Sequence, residues 1–342
     1  MLIGEHPSLH DGRLVFHTLV GSATVIRIYE LDSGQLTNTE VVGENPRLWG
    51  DKIAFETQER QLGEDLNGDG NLFDRIIHVY DIPRRTVTNT GAVGMDPTIY
   101  GDIVAFSTSE ERIGEDLDGD GVLFAQVIRY YDLNSGTVHN TGVVGAAPAI
   151  YERTIAFQTE ESIVGRDLND DFDAEDVVIR LYHLDSERIT NTKAVGAFPA
   201  IYGDRVAFHT LEFGVEDLND DGDLNDFVIR VYDLRTQGVT NTSTLGVFPV
   251  VYENRLAFAT DEERAGQDFN NDGVLKDFVL RSYDLIARDS LNTSTVGMYP
   301  SLDGNVLAYQ LEERRIGKDL TRDGDTDDTV IRLISLNERG DR

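Results

Sequence analysis

Residues 94–108 read Gly94-Met95-Asp96-Pro97-Thr98-Ile99-Tyr100-Gly101-Asp102-Ile103-Val104-Ala105-Phe106-Ser107-Thr108. A Gly-x-x-Pro corner leads into a short β-type run, a Gly-Asp turn and a second run rich in β-branched and aromatic residues. That is the pattern of two antiparallel strands joined by a tight turn. The same corner opens at Gly4, Gly43, Gly94, Gly145, Gly196, Gly246 and Gly297, with its prolines spaced 39, 51, 51, 51, 50 and 51 residues apart. Seven copies at one period mean an array of similar units, none of which buries its apolar faces alone.

Each unit continues in the same way. Val127-Ile128-Arg129-Tyr130-Tyr131-Asp132-Leu133 reads as a third strand, Asn134-Ser135-Gly136 as a turn and Thr137-Val138-His139-Asn140-Thr141 as a fourth strand, with no sustained 3.6-residue period. Four short antiparallel strands per unit describe a propeller blade. The expected fold class is therefore all-β, a single seven-bladed β-propeller domain over residues 1–342, with blades at about 1–43, 44–94, 95–145, 146–196, 197–246, 247–297 and 298–342. Two β-sandwiches, the competing architecture, do not require seven copies of one corner. Units one to six close with an Asn-Thr strand at Asn38-Thr39, Asn89-Thr90, Asn140-Thr141, Asn191-Thr192, Asn241-Thr242 and Asn292-Thr293, whereas the seventh stops after Val330 to Leu336. Such rings often complete the last blade from the other terminus, but only Met1-Leu2-Ile3 precede Gly4. The last blade is thus expected to lack its outer strand, or the chain to be part of a longer protein.

Composition narrows the function. Asp plus Glu number 62 against 30 Lys plus Arg, a formal charge of −32, which argues against nucleic acid or an anionic membrane as partner. The absence of Cys excludes disulfides, a thiolate nucleophile and Cys-type zinc sites. No apolar run reaches the roughly 18 residues of a membrane span, and residues 1–9 lack the basic and apolar regions of a signal peptide.

The first Pro-to-Pro spacing is shorter by 12 residues because blade one skips an insertion between its second and third strands. In blade two that insertion carries Asp65, Asn67, Asp69, Asn71 and Asp74, with Gly70 at position 6 of ten. Oxygen-bearing side chains at positions 1, 3, 5 and 10 around a glycine turn allow a curved backbone to aim several hard donors at one centre, a description of calcium better than of magnesium. The related loops carry Asp116, Asp118 and Asp120 in blade three; Asp167, Asn169, Asp171, Asp173 and Asp176 in blade four; Asp217, Asn219, Asp221, Asp223 and Asp226 in blade five; Asp268, Asn270, Asp272 and Asp277 in blade six; and Asp319, Asp323, Asp325 and Asp328 in blade seven. Ala125 at position 10, Phe172 at position 6 and Thr321 at position 3 depart from the pattern, so blades three, four and seven are expected to bind more weakly or with different ligands. Carboxylates this close repel one another unless neutralised, and up to six calcium ions, one per blade in blades two to seven, would move the formal charge from −32 to −20.

On these residues the blade resembles the seven-bladed propellers related to the TolB and WD40-like repeats, and the loop resembles those of the integrin alpha-chain propeller and its FG-GAP relatives. It differs from the integrin-type loop in carrying its closing Asp at position 10 rather than 9, as Asp74, Asp226 and Asp277 show. The resemblance implies a propeller fold and calcium loops, but propellers of this kind serve many functions.

Several other residues suit either a site or a packing role. Third-strand Arg27, Arg129, Arg180, Arg230, Arg281 and Arg332 recur and are expected to pair with recurring carboxylates. His17, Glu56, Ser107, Gln158, His209, Ala259 and Gln310 share one second-strand position, which suits either a channel lining or a wetted blade face. Arg47 and Trp49 replace smaller residues and Tyr in the first strand of blade two, and Phe198, Phe248, Met298 and Tyr299 occupy the later corners. All six are candidates for contact with a ligand or partner. No His-Glu-x-x-His, Gly-x-Ser-x-Gly or phosphate-binding glycine loop occurs. The expected function is a non-catalytic binding or adhesion module for a protein or glycan, exported to the extracellular space, cell surface or periplasm, with mainly structural calcium. The alternative is a propeller-type polysaccharide lyase or glycoside hydrolase whose site at the central channel uses carboxylates such as Glu56 and Glu59.

Overall fold

The computed structural model describes residues 1–336; residues 337–342, which the sequence reading includes in the seventh blade, lie outside the described residues. The chain forms seven four-stranded antiparallel sheets, a seven-bladed β-propeller. Blade three shows the common plan, with strands Met95–Tyr100, Ile103–Ser109, Gln126–Asp132 and Thr137–Val144 paired in chain order. Blade one joins its second and third strands, Arg13–Val20 and Ala23–Glu30, by a tight turn where the other blades carry the acidic insertion. Contacts group the chain into two compact units, one of Val15–Pro199 and one of Met1–Leu14 with Ala200 onward. No helix among the described residues is long and apolar enough to cross a membrane.

The expectation of a missing outer strand is corrected within the second unit. Leu2–Ile3 pairs antiparallel with Thr329–Ser335, placing Leu2 opposite Ile331 and Ile3 opposite Val330. Two residues suffice because Gly4 N–H continues the ladder onto Thr329 O at 2.9 Å.

The corner explains its own residues. An aromatic side chain from the second strand lies flat on the corner glycine, so that a Cβ on Gly43 would stand 2.2 Å from Phe55, on Gly94 2.5 Å from Phe106, on Gly145 2.4 Å from Phe157, and on Gly297 2.4 Å from Tyr309. No side chain fits there. Phe55, Phe106 and Phe157 are fully buried, each contributing about 2–3 kcal/mol of apolar burial. The corner glycine also donates its N–H to the first residues of the preceding blade's third strand, as in Gly94 to Arg75 O and Gly145 to Gln126 O.

Two residues after that glycine the backbone turns left-handed at a non-glycine residue, with φ 50° at Asn45, 54° at Asp96, 50° at Phe198, 51° at Phe248 and 51° at His6. The N–H exposed by this turn is captured by the preceding blade's second strand. Asn45 N donates to His17 Nδ1 at 3.1 Å, Asp96 N to Glu56 Oε2 at 3.0 Å, Phe198 N to Gln158 Oε1 at 2.8 Å, Phe248 N to His209 Nδ1 at 3.3 Å, and His6 N to Gln310 Oε1 at 3.0 Å. These second-strand residues therefore act as acceptors that lock one blade to the next. Their types vary because His, Glu and Gln all offer an acceptor at the required reach.

Gly145→Ala forces a Cβ into the Phe157 ring, and we expect it to lower unfolding free energy by about 1–3 kcal/mol. Chemical denaturation of the purified variant against wild type checks this; an unchanged midpoint would remove the steric account of the corner.

Candidate metal centres

The six insertions fold to one geometry. Position 1 supplies an Asp whose Oδ2 accepts the backbone N–H of position 6, from Gly70, Gly121, Phe172, Gly222, Gly273 and Gly324 at 2.9–3.0 Å. The side chain at position 3 accepts the N–H of position 5 and that of position 5 accepts the N–H of position 7, as in Asn67 to Asp69 at 3.1 Å and Asp69 to Asn71 at 2.9 Å. Each oxygen-bearing residue is thus turned toward the concave side of its loop. Phe172 takes the left-handed position-6 conformation, φ 81°, that glycine fills elsewhere, so this departure leaves the loop geometry intact.

The carboxylates gather accordingly. Asp116 and Asp118 bring ligand atoms within 4.8 Å of each other and of Glu110; Asp173 and Asp176 do so with Glu161; and Asp221, Asp223 and Asp226 do so among themselves. Position 10 is buried at Asp74, Asp226 and Asp277. In blades two, four, five and six the position-3 Asn donates its amide to that carboxylate, from Asn67 to Asp74 at 3.1 Å, Asn169 to Asp176 at 2.6 Å, Asn219 to Asp226 at 3.0 Å and Asn270 to Asp277 at 3.2 Å. Burial, followed by repulsion from neighbouring carboxylates, pushes Asp176 and Asp226 up to about 6 and raises Asp74 and Asp277. The position-7 N–H holds Asp69, Asp171 and Asp221 below the usual carboxylate range. Blade three replaces the tenth carboxylate by buried Ala125, leaving Asp116, Asp118 and Asp120 as its loop carboxylates. In blade seven, Asp319 accepts the Gly324 N–H, Asp323 that of Asp325, and Asp325 that of Asp327.

One participant was missed in the sequence. Glu59, Glu110, Glu161, Glu212, Glu262 and Glu313 follow the second strand, and each is 0 % exposed. Their backbone N–H groups bond to the position-10 carbonyl at 2.9–3.1 Å, and their Oε1 atoms accept the position-2 N–H, as in Glu59 with Leu66 at 2.7 Å and Glu262 with Phe269 at 2.6 Å. The signal lay outside the ten-residue pattern: a Glu five or six residues before position 1 in every blade that has the loop. A second clamp comes from the fourth strand. Asn89, Asn140, Asn191, Asn241 and Asn292 donate their side-chain amides to the position-2 carbonyl at 2.6–2.8 Å, which explains the recurring Asn of the Asn-Thr pair.

The remaining candidates divide. Trp49 is half-buried and packs on Tyr100, centroids 4.0 Å apart, which packs in turn on Tyr151 at 4.8 Å. Arg47, half-buried, donates to Pro46 O at 3.2 Å. In the second unit Phe248 packs on His209 and on Tyr299, at 6.0 and 5.1 Å, and Met298 pairs opposite Gln310. Phe198 remains 45 % exposed. The third-strand arginines divide: Nε of Arg129, Arg180, Arg230 and Arg281 is buried without a hydrogen-bond partner, Glu115 attracts Arg129 and Glu216 attracts Arg230, while the Arg180 and Arg281 guanidiniums lie over the rings of Phe157 and Phe269. Burial holds these four below the usual arginine range.

Blade two also holds an ionic cluster built on buried Glu56. Glu56 accepts from Asn45 Nδ2 at 2.8 Å, Arg75 Nη1 at 2.5 Å and Asp96 N at 3.0 Å. Glu44 accepts from Arg75 Nη1 at 2.8 Å and from the amides of Gln58 and Gln61 at 3.0 and 2.6 Å. Burial raises Glu56, whereas the bonds from Gln58 and Arg75 outweigh burial at Glu44 and hold it low.

Burial pushes His209 down to about 4, so its Nδ1 stays a neutral acceptor for Phe248 N–H. Because the folded value is depressed, the stabilisation is complete above the unfolded value near 6.5 and is lost as pH falls toward 4. His209→Gln, with the amide acceptor used at Gln158 and Gln310, keeps the lock and removes the titration. Between pH 7 and 5 the variant is expected to lose about 2 kcal/mol less stability than wild type; parallel denaturation curves at the two pH values measure this, and equal losses would sink it.

No family model and no curated protein sequence matches the chain. Among solved structures it is similar to the β-propeller domain of the Trilobed protease from Pyrococcus furiosus, described as having an open velcro topology, with 10% identity, TM-score 0.64 and coverage of 98% of this chain and 96% of that one. It is also similar to an oligogalacturonate lyase from Vibrio parahaemolyticus, with 10% identity, TM-score 0.58 and coverage of 98% and 91%. A Pyrococcus horikoshii acylaminoacyl peptidase aligns at 13% identity and TM-score 0.58 over 92% of this chain and 49% of its own. At these identities the likeness is one of fold, that of the propeller.

Proposed function

We propose that the protein is a calcium-stabilised, non-catalytic propeller that binds a protein or glycan outside the cell, at its surface or in the periplasm. The observation that carries this reading is the repetition, at one place in six blades, of an acidic loop bonded to a fully buried Glu, with three carboxylates offering ligand atoms within 4.8 Å of one another in blades three, four and five. Such a donor set is hard, anionic and oxygen-only, on a loop whose geometry is flexible enough for seven or eight ligands, which favours calcium over magnesium. The closed charge of several carboxylates would be neutralised by the ion, whose binding adds stability by mass action. Affinities of about 10⁻⁴ to 10⁻³ M, usual in extracellular modules, suit a compartment always rich in calcium.

The binding role rests on what the loops display. Phe73, Phe124, Phe172 and Phe213 are 58, 71, 98 and 74 % exposed on or beside the insertions, each offering an aromatic face to a partner. The catalytic alternative finds its carboxylates already engaged. Both oxygens of Glu56 accept hydrogen bonds, one from Arg75 of blade two and the other from Asp96 N of blade three, and both oxygens of Glu59 accept backbone N–H groups of the loop.

Calcium titration of chelator-treated protein, followed by thermal unfolding, tests the scaffold. Each site saturated at a hundred times its Kd adds about 2.7 kcal/mol, so the midpoint is expected to rise by several degrees, and by less with magnesium. A midpoint indifferent to calcium and chelator would overturn the reading. Screening against glycan and protein arrays in calcium addresses the partner, and turnover of a polysaccharide would favour the lyase or hydrolase instead.

A further inference from the structure

Two arginines clasp the ninth loop residue of blade two. Arg60 of the same blade lays its guanidinium over the Phe73 ring, 4.3 Å from the centroid, and Arg112 of blade three donates from Nη1 to Phe73 O at 3.3 Å. The second clasp recurs in the other compact unit, where Arg264 of blade six donates to Asn225 O of blade five, and Arg315 of blade seven to Lys276 O of blade six at 3.1 Å. Each acceptor is the ninth residue of its loop, and each donor stands two residues after the buried Glu of the following blade.

Around Phe124, the ninth loop residue of blade three, neither position holds an arginine. Glu111 stands at the place of Arg60, and Ile163 of blade four at the place of Arg112. The corner that follows carries Ala146 where the interfaces between blades two and three and between blades six and seven carry Met95 and Met298. These shorter side chains leave space. The cavity between blades three and four is about 240 Å³, against about 70 Å³ between blades two and three and about 20 Å³ between blades six and seven. Phe124, Val144, Ala146 and Ile163 give it apolar walls, and Gln126 and exposed Glu160 line it with polar groups. The loop beside it ends in Val122-Leu123-Phe124, all exposed, and no other insertion has apolar residues at positions 7, 8 and 9 together. Exposed apolar surface of this kind marks an interaction site.

Size and chemistry select the occupant. The volume exceeds the roughly 150 Å³ that receives a benzene ring and falls short of the about 300–1,000 Å³ of a site for a whole small molecule, so it suits one long side chain. Its acceptors are those that arginines satisfy elsewhere in this chain, a ninth-residue carbonyl and a phenylalanine face, here with the Glu160 carboxylate on the wall. A formal charge of −32, or −20 with six calcium ions bound, draws cations and repels a second copy of the chain. Guanidinium fits better than ammonium because it is planar and stacks on a ring while donating in its own plane, and the arginine stem packs on apolar walls.

We propose that the cleft between blades three and four receives an arginine side chain of a protein partner, its stem against Val144, Ala146 and Ile163 and its guanidinium at the ring and carbonyl of Phe124. The proposal rests on the reading of the protein as a binding module, and it narrows the partner from a protein or glycan to an arginine-bearing protein segment.

Two substitutions taken from the equivalent interfaces close the cleft. Ile163→Arg restores the clasp on the ninth residue, and Ala146→Met fills the corner with no change of charge. A phage-displayed library of random peptides is selected on full-length wild type in calcium. Enriched peptides are titrated by fluorescence polarisation against wild type and both variants, with circular dichroism as the check on folding. The expected result is enrichment of arginine-containing peptides whose binding weakens at least about tenfold when their arginine is replaced by alanine, and by as much in each variant. Enriched peptides without arginine, or peptides that bind wild type and folded variants equally, would overturn the assignment of the cleft and leave a protein-binding module. Glycan binding on an array with no peptide enriched would overturn the arginine partner and leave a glycan-binding module, whereas binding of neither would overturn both readings. Should Ile163→Arg not fold, Ala146→Met alone is read in the same way.

Discussion

A phenyl ring lying on a bare α-carbon organises the blade. Because Phe55, Phe106 and Phe157 occupy the space a Cβ would need at Gly43, Gly94 and Gly145, the corner approaches its own second strand to van der Waals distance. The corner N–H groups then point back to the preceding blade. Gly94 N–H reaches Arg75 O, and the left-handed Asp96 N–H reaches Glu56. One four-residue segment therefore packs on its own sheet and bonds to its neighbour. A left-handed non-glycine residue costs of order 1–3 kcal/mol, and it persists here because the bond it directs at the neighbouring blade over-determines it. The same construction joins the seventh blade to the first through His6 and Gln310, with Leu2–Ile3 as the outer strand.

The acidic loops depend on that frame. Each emerges where the second strand ends and returns where the third begins, and its ends are joined by the bond from the Glu N–H to the position-10 carbonyl. Inside this closed insertion the carboxylates are positioned by backbone donors, with the Glu below and the fourth-strand Asn alongside clamping the second loop residue from both its N–H and its carbonyl, as Glu59 and Asn89 do at Leu66. Positioned carboxylates cannot relax away from one another as mobile side chains do. On the proposed function, a cation would meet groups whose orientation is already set by these backbone donors.

How much of this was legible follows from scale. The blades were readable because Gly-x-x-Pro and Asn-Thr recur at a constant period, and the loops because alternate oxygens around a glycine have a distinctive spacing. Leu2-Ile3 was too short to register as a strand without its partner. Glu59 and its counterparts stand in runs such as Glu262-Glu263-Arg264 that resemble a solvated turn of helix, and only the fold buries the first of the two acids. The acceptor role of His17, Glu56, Gln158, His209 and Gln310 was hidden because the constraint is on one atom, not on residue type: His and Gln are dissimilar in sequence yet present an acceptor at similar reach. Third-strand arginines were legible only in part, since a recurring cation suggests an anion, as Glu115 is for Arg129 and Glu216 for Arg230, whereas Arg180 and Arg281 lie over aromatic rings that the sequence does not place beside them.

Variation between blades is often taken as the place to look for function, and here much of it is consumed by the scaffold. Of the seven aligned second-strand residues, five are spent on the interblade bond, and the blade-two cluster of Glu44, Glu56 and Arg75 satisfies itself internally. The variation left over sits at the loops, where exposed Phe73 and Phe124 hold the ninth position in blades two and three, Glu175, Asn225, Lys276 and Asp327 hold it in blades four to seven, and Phe172 is exposed at position 6 of blade four. A residue held at a loop tip has its position set by the carboxylate scaffold beneath it. On the proposed function, cation occupancy and the presentation of these aromatic faces would be linked by the same short segments of backbone, so that a partner reading the faces would also read the state of the loops.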